Sequence, residues 1–218
     1  MLIQWLGHSS FLIVSSDGRK IVTDPYTTGA YQGTFNYAPI RISPDIVTVS
    51  HEHADHNGAA DLPNHFDVVS GAEERTVQGI KIKGVEAAHD SESGAVRGMN
   101  VIFVMEIDGM RVCHLGDLGH VLSAHQIAQI GSVDILLVPV GGYYTIGPDE
   151  ADQVIKQLNP KIAIPMHFKT DKVEFPIQPV SEFIKGKDNV QVRPGSELEI
   201  AEEQLPAQTV IIVLQHAL

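Results

Sequence analysis

Short apolar runs recur along the first quarter of the chain, and turn-forming residues separate them. Three of these runs have strand-like lengths, namely Leu2–Leu6, Ser10–Val14 and Lys20–Thr23. Ser16-Asp17-Gly18 supplies a turn between the second and third runs, so the pattern predicts a β-meander. Residues 26–44 show no period and predict a long loop, and Asp45–Ser50 predicts a buried strand after it.

The rest of the chain alternates strand-like and helix-like patterns. Met99–Ile107 and Met110–Leu115 flank the turn residues Asp108-Gly109, which predicts a hairpin. Short strands broken at Gly71, Gly79 and Gly84 are predicted between Phe66 and Ala88, with further strands over Val133–Val140, Lys161–Pro165, Val190–Val192 and Val210–Leu214. Helices are predicted from Ser123 to Gly131, over Pro148–Leu158 and over Val180–Lys185. This alternation predicts one α/β domain with enough strands for two sheets.

Composition limits the class of protein and its partners. The chain has 218 residues, 43% hydrophobic and 19% charged, as in one globular domain with a full core. Its formal charge of −12 disfavours binding to phosphate backbones, so no nucleic-acid partner is expected. The one cysteine, Cys113, excludes an internal disulfide and lies among apolar strand residues, where packing is its expected role.

No apolar run approaches the roughly 20 residues of a membrane span, and the first residues lack a secretory pattern. These features predict a cytoplasmic protein without a membrane partner.

The most informative feature is a histidine cluster that directly follows the predicted strand Asp45–Ser50. The chain has 11 histidines, and three of them share six residues with an aspartate in His51-Glu52-His53-Ala54-Asp55-His56. At this composition the pattern H-x-H-x-D-H would arise by chance about 0.002 times. Imidazole and carboxylate are ligands for Zn²⁺ and similar ions. The cluster therefore predicts a metal site at the end of a strand, and a solvated polar loop is the alternative.

Three further residues occupy similar places in the sequence. His89, Asp117 and His167 each follow an apolar, strand-like run. Taken singly, each is better explained by a structural role in a loop. Because sites in open α/β sheets collect at the C-terminal ends of strands, the shared placement favours a role as ligands.

These residues together resemble the metallo-β-lactamase fold superfamily, whose signature is H-x-H-x-D-H. The order after the cluster also matches, with an isolated His89, then Gly116-Asp117, then His167; Asp24, at a strand end, matches the superfamily's first motif. Further segments resemble the small metal-dependent hydrolase branch that includes ascorbate-6-phosphate lactonase-like proteins. These segments are Trp5–Phe11, His114–Asp117, Pro139–Gly142, Tyr144–Pro148 and Ile164–Phe168, so the resemblance covers nearly the whole chain.

The resemblance implies an α/β fold of the αββα sandwich type, with two mixed β-sheets flanked by helices. Residues 1–218 would form a single domain with the site along one edge. Two divalent metal ions are implied, zinc first, with manganese, nickel or iron as alternatives. The implied ligands are His51, His53 and His89 for the first ion, Asp55, His56 and His167 for the second, and Asp117 as the bridge. Asp24 is implied to accept a hydrogen bond from a ligand imidazole and so to orient it.

Four other residues are candidates for the surroundings of the metals. His8 and His114 lie at strand ends, and each fits either a place beside the metals or a hydrogen-bonded structural role. Tyr143 and Tyr144 lie in a loop that begins with two glycines. That loop either forms a wall for a substrate or makes a tight turn into the helix that begins at Pro148.

The implied reaction is hydrolysis, in which a metal-bridging hydroxide attacks the phosphorus or carbonyl carbon of a small anionic ester. Phosphodiesters, lactones and related acyl compounds are the substrates considered, and Asp55 and Asp117 are the expected catalytic residues. A small-molecule substrate is the expected partner, and a homo-oligomer is left open. Two alternatives stand at this point, a non-catalytic protein with structural metals and a metal-dependent oxidoreductase of the same fold.

Overall fold

A computed structural model describes all residues from 1 to 218, and two β-sheets account for most of it. In chain order the strands are β1 (Leu2–Gly7), β2 (Ser10–Val14), β3 (Lys20–Thr23), β4 (Ile46–Thr48), β5 (Asp67–Val69), β6 (Glu74–Val77), β7 (Ile80–Ala88), β8 (Met99–Ile107), β9 (Met110–His114), β10 (Ile135–Pro139), β11 (Ile162–Met166), β12 (Val190–Val192), β13 (Glu197–Glu199) and β14 (Val210–Val213). The helices are α1 (Ala124–Ile130), α2 (Pro148–Leu158) and α3 (Val180–Ile184), and none of them is long and apolar enough to cross a membrane.

Both sheets are mixed. The first has six strands in the order β13-β1-β2-β3-β4-β5, antiparallel through β3 and parallel from β3 to β5. The second has eight strands in the order β12-β14-β11-β10-β9-β8-β7-β6. Its strands from β12 to β9 are parallel, and the hairpins from β9 to β6 are antiparallel. The predicted sandwich of two mixed sheets is confirmed.

The two sheets face each other across one apolar core. A cluster of 45 buried residues draws side chains from both sheets, such as Ile13 and Ile46 from the first and Val112 and Leu137 from the second. Cys113 belongs to this cluster, and burial raises the pKa of its thiol to about 12, as expected for a packing residue. The space between the sheets is therefore filled by apolar side chains, as expected for a packed core.

The outer layers of the sandwich differ between the two sheets. Helices α1 and α2 contact the eight-stranded sheet, at β7 and β10. The outer face of the six-stranded sheet is covered instead by the loop over residues 26–44, whose Tyr26, Phe35 and Tyr37 pack together with Leu12 and Val47 in a second buried cluster. The aperiodic segment predicted as a loop thus serves as a layer of the fold.

The local predictions hold for most elements. Helix α2 has the predicted bounds, and α1 begins at a capping box in which the Ser123 hydroxyl accepts from the Gln126 N–H at 3.2 Å. The predicted break at Gly84 is wrong, because β7 runs through this residue, which pairs with Phe103. A Cβ at Gly84 would collide with the carbonyl oxygen of Gly71, so close backbone approach requires the glycine.

Candidate metal centre

The predicted ligands follow strands whose C-terminal ends meet at one edge of the sandwich. The histidine cluster begins at His51, three residues beyond β4, and His89, Asp117 and His167 follow β7, β9 and β11 within three residues. Strand ends fix the backbone on one side of each ligand, so the side chains are held by the sheets rather than by free loops.

Three residues at this edge adopt left-handed backbone conformations that non-glycine residues seldom use. His8 has φ 54°, Asp24 has φ 39° and His167 has φ 50°, and each is the first residue after a strand. Such conformations persist only where the surrounding structure fixes them, and they cluster at functional sites. The backbone strain is therefore concentrated where the chain turns from the sheets into the centre.

The first group of ligand-type residues is His51, His53 and His89. One nitrogen from each lies within 4.8 Å of the others. The His51 Nε2 and His53 Nδ1 atoms are 2.9 Å apart, and the His51 and His89 rings have centroids 4.7 Å apart. These are the three residues that the family resemblance implies for the first ion.

The second group contains His8, Asp55, His56 and His167, again with ligand atoms within 4.8 Å of one another. All four side chains are buried. Three of them are the residues implied for the second ion, and His8 joins them. The His8 Nε2 atom lies 3.1 Å from Asp55 Oδ2, and its ring centroid lies 4.1 Å from that of His167.

The Asp117 carboxylate lies between the two groups. Its Oδ2 atom is 3.2 Å from His89 Nε2 in the first group. The same oxygen is 3.2 Å from His56 Nε2 and 3.3 Å from His167 Nε2 in the second group. One carboxylate therefore contacts ligand nitrogens of both groups, as the bridging role requires.

Asp24 and Ser50 fix the orientation of two of the imidazoles. Asp24 Oδ2 accepts from His56 Nδ1 at 2.8 Å and from the Ser50 hydroxyl at 2.5 Å. Because that hydroxyl donates to Asp24, it accepts from His51 Nδ1 at 2.9 Å. Both histidines then donate from Nδ1, so their Nε2 atoms face the centre, where a bound metal would take the Nε2 lone pair.

The buried charges perturb the pKa values of the whole cluster. Burial and the nearby His56 lower the pKa of His51 to about 3, and burial and His167 lower the pKa of His8 to about 4. For His56 burial also acts to lower the pKa, but the Asp117 and Asp55 carboxylates outweigh it and raise the pKa well above its usual value. His167 and His56 hold the pKa of Asp117 well below its usual value despite burial.

The donor set fits divalent transition-metal ions. Asp117 Oδ1 and His56 Nε2 are buried without a hydrogen-bond partner, although such atoms are normally satisfied. Imidazole nitrogens and carboxylate oxygens are the ligand atoms of zinc, manganese, nickel and iron sites. Bound cations would satisfy the unpartnered atoms and offset the mutual repulsion of the Asp55 and Asp117 carboxylates.

A cavity of about 300 Å³ opens onto the centre. His53, Asp55, His89, Asp117 and His167 reach its wall, and Tyr31, Arg97, Tyr144 and Phe175 complete it. The Tyr31 hydroxyl donates to Asp55 Oδ1 at 2.8 Å, and burial and Asp55 raise the pKa of that hydroxyl, so it stays protonated. Asp55 is thus held on both oxygens, by Tyr31 and by His8.

Sequence reasoning missed Tyr31, Arg97 and Phe175. Tyr31 and Phe175 contact each other with ring centroids 5.5 Å apart, although more than a hundred residues separate them in the chain. No local pattern marks them, and the one usable signal was the unusual length of the loop that contains Tyr31.

The other predicted neighbours of the site fall in different places. Tyr144 lines the cavity, whereas Tyr143 is 65% exposed and lines an outer groove. The Tyr143 backbone is left-handed at φ 64°, and the Tyr144 N–H donates to the Gly142 carbonyl at 2.8 Å, so the loop is also a tight turn. His114 is buried away from the cavity and donates to the Ser9 carbonyl at 2.8 Å, which is a structural role.

Comparison with known proteins agrees with this architecture. The family model described as "Beta-lactamase superfamily domain" matches residues 2–167. A UPF0173 metal-dependent hydrolase from Pelotomaculum thermopropionicum is 33% identical, over 92% of this chain and 100% of the relative. A crystal structure from Thermotoga maritima, described as a Zn-dependent hydrolase of the metallo-β-lactamase superfamily, matches with 41% identity and a TM-score of 0.80, over 98% of this chain and 99% of that one. Igni18, a metallo hydrolase from Ignicoccus hospitalis, matches with 25% identity and a TM-score of 0.60, over 84% and 88% of the two chains.

Two mixed sheets with a histidine and aspartate centre along one edge define the metallo-β-lactamase fold. The chain belongs to the β-lactamase superfamily, among relatives that are named metal-dependent hydrolases. The superfamily resemblance of the sequence is confirmed, and the narrower likeness to ascorbate-6-phosphate lactonase-like proteins stays a prediction.

Proposed function

We propose that this protein is a metal-dependent hydrolase that uses two divalent ions, zinc first, to cleave a small anionic ester. One observation carries the proposal: Asp117 lies within 3.3 Å of ligand nitrogens from two separate groups, at the wall of an open cavity. A centre that bridges two ions beside a cavity of ligand size is suited to catalysis.

The residues divide between the two ions as two groups and a bridge. His51, His53 and His89 would hold one ion and Asp55, His56 and His167 the other. Asp117, which contacts nitrogens of both groups, would bind both ions. When bound, the ions would supply an activated water and polarise the oxygen of the scissile bond. The phosphoryl or acyl group of a phosphodiester, a lactone or a related ester is the proposed point of attack.

The chain positions the centre and keeps it in a defined protonation state. Asp55 is held as a carboxylate, because His56 and His8 lower its pKa more than burial raises it. Tyr31 and His8 fix its two oxygens, which sets the direction in which Asp55 faces the cavity. Tyr144 and Phe175 supply apolar surface at the cavity wall and restrict the access of bulk water.

The geometry favours catalysis over a purely structural role for the metals. Structural zinc sites are closed and use four protein ligands for one ion. Here six predicted ligands form two groups and Asp117 lies between them, and five of these seven residues reach the wall of a cavity. Such a site leaves coordination positions that face the cavity, where a water and a substrate would bind.

The test joins metal analysis to a substrate screen. We expect the purified chain to hold close to two divalent ions and, once loaded, to hydrolyse at least one class among phosphodiesters, lactones, thioesters and carboxylic esters. The variant H53Q should lose activity, whereas H125Q, which changes an exposed histidine on α1, should keep it. Metal-replete protein that holds no ion, or loaded protein that hydrolyses none of these classes, would overturn the proposal.

A further inference from the structure

The metal cavity adjoins a second, larger space. A groove of about 780 Å³ lies beside the 300 Å³ cavity, and Arg97 and Tyr144 line both of them. A substrate whose scissile bond lies at the metal centre would therefore pass Arg97 if its remainder extended into the groove.

Arg97 is the one lysine or arginine among the residues that line these two spaces. The chain carries 15 such residues against 27 acidic ones, so a positive charge at this place stands out from a negative surface. The guanidinium forms no ion pair with a carboxylate of the protein and no side-chain hydrogen bond. Its five N–H donors are therefore free to bind a ligand.

The position of Arg97 is set by two contacts. Its backbone N–H donates to Asp90 Oδ2 at 2.7 Å, and Asp90 also accepts from the N–H groups of Glu92, Gly94 and Val96. Its guanidinium carbon lies 5.6 Å from the centre of the Tyr144 ring. A cation over a ring at this distance is held by a cation–π contact, which uses none of the guanidinium N–H donors and leaves them available for a carboxylate or a phosphate.

The groove beyond Arg97 has the opposite charge. Its acidic lining residues are Asp90, Asp149, Glu150 and Glu182. Asp90 accepts four backbone N–H groups, and Glu150 is engaged by the Gly147 N–H at 3.1 Å. A second anionic group placed deep in the groove would be repelled by these carboxylates. The favourable place for a negative charge is the boundary between the two spaces, at Arg97.

We propose that Arg97 is a specificity-determining residue that binds an oxyanion group of the substrate. This proposal rests on the hydrolase function proposed above and defines its substrate class. The substrate carries a carboxylate or phosphate close to the scissile bond, and any extension into the groove is uncharged. The negative charge of the reacting molecule is then paired with Arg97, while the metal centre acts on the ester.

The test uses matched pairs of substrates that differ in one negative charge. Mono-4-nitrophenyl adipate is compared with 4-nitrophenyl hexanoate, and bis(4-nitrophenyl) phosphate with its neutral methyl triester. For each pair the ratio of kcat/KM, anionic over neutral, is measured in the metal-loaded wild type, R97Q, R97K and R193Q. Arg193 lies on an exposed stretch outside both spaces and serves as the control.

We expect R97Q to lower the ratio by about 10- to 100-fold, mainly through a higher KM for the anionic partner, because a charge-assisted pair is lost. R97K should fall between R97Q and wild type, and R193Q should match wild type. The pair that shows the effect tells whether a carboxylate or a phosphate is bound. A second readout does not depend on catalysis: the Kd of phenylphosphonate should be higher for R97Q than for wild type at equal metal content.

The results separate this proposal from the function on which it rests. If R97Q lowers kcat/KM equally for the charged and the neutral substrate of a pair, Arg97 has only a structural role through its contact with Tyr144. The specificity role is then overturned. An unchanged ratio in R97Q overturns it as well. If the wild type hydrolyses neither member of either pair, the hydrolase proposal fails for these classes, and weaker phenylphosphonate binding by R97Q would still support anion binding at Arg97.

Discussion

At the scale of single residues, the orientation of His51 and His56 depends on hydrogen bonds at Nδ1 that direct their Nε2 atoms into the centre. Asp24 is the residue on which most of these bonds converge, since it accepts from the Ser50 backbone, the Ser50 hydroxyl and His56. Its own backbone is left-handed at φ 39°, so the strand end that carries it is shaped for this contact. A residue that binds no substrate thus determines how two ligands face the centre.

Replacement of Asp24 by asparagine should weaken metal binding without removing any ligand. Asparagine keeps the shape but replaces one acceptor oxygen by an N–H₂ group, which cannot accept from Ser50 or His56. We expect D24N to lose about 10- to 100-fold in metal affinity, measured by titration against a competing chelator. D61N, at an exposed aspartate, is the matched control. Equal affinities in D24N and wild type would show that the Asp24 contacts do not orient the ligands.

The two groups of ligands predict different results for two alanine variants. Asp117 contacts nitrogens of both groups, whereas His89 belongs to the first group alone. We expect H89A to retain about one ion per chain and D117A to retain less than one, because the loss of Asp117 removes a ligand from both ions. Elemental analysis after loading and desalting measures the metal content. The same residual metal content in both variants would contradict the bridging role of Asp117.

At the scale of helices and strands, the sequence predicts those elements that carry a pattern of apolar, capping or turn residues of their own. Helix α2 begins at Pro148 and buries Ala151, Val154 and Ile155 on one face, and both features are visible in the sequence. The predicted metal ligands lie at strand ends, and apolar runs mark those strands. Strand β13 was missed because it has three residues, two of them glutamates, and gains its place only by pairing with β1.

The cavity wall shows where local reasoning stops. Tyr31 and Phe175 come from loops, and Arg97 follows a turn whose shape depends on four hydrogen bonds to Asp90. Which loops meet over the centre is decided by the packing of the two sheets and not by any nearby motif. The sequence therefore indicates the metal chemistry through its histidine pattern but leaves the substrate side of the cavity open.

The turn between β8 and β9 predicts a pH-dependent contribution to stability. Asp108 accepts from the Ser16 N–H at 2.8 Å and from its hydroxyl at 2.7 Å, and it lies 3.3 Å from the N-terminal ammonium. Burial alone would raise the pKa of Asp108, but the Ser16 bonds and this ammonium lower it. A carboxylate whose pKa is lower in the folded chain than in the unfolded chain stabilises the folded state. This contribution is fully present at a pH above the unfolded-state pKa and is lost as the pH falls through the folded-state pKa.

We therefore expect D108N to be less stable than wild type at pH 7 by about 0.5–1 kcal/mol, after allowance for solvent screening. Asparagine tolerates the left-handed conformation of this position, φ 50°, so loss of charge is the main change. Urea unfolding followed by circular dichroism at pH 7 and near pH 3 measures the difference, which should shrink at the lower pH. D188N, at an exposed aspartate without an ion pair, is the control. A difference that grows as pH falls would contradict the assignment.

At the scale of the whole molecule, folding and metal binding draw on different residues. The apolar core of 45 residues lies between the sheets, and a second cluster of 13 lies under the loop over residues 26–44. Both clusters consist of apolar side chains, whereas the predicted metal ligands lie beyond the strand ends at one edge of the sheets. A chain of this size buries about 70–75% of the surface exposed in its unfolded form, which is enough for a stable core.

Removal of the metals should therefore abolish activity and leave the fold in place. The chelated protein should keep its far-ultraviolet circular dichroism and a cooperative thermal transition, because the core does not depend on the ligands. Its Tm should fall, since ions that bind only the native state add stability, about 4 kcal/mol at a thousandfold excess over Kd. Readdition of zinc should restore both Tm and hydrolysis. If chelation unfolds the chain and hydrolysis is never found across the ester classes, the metals are structural, since catalytic ions held by a preformed core can be removed without loss of that core.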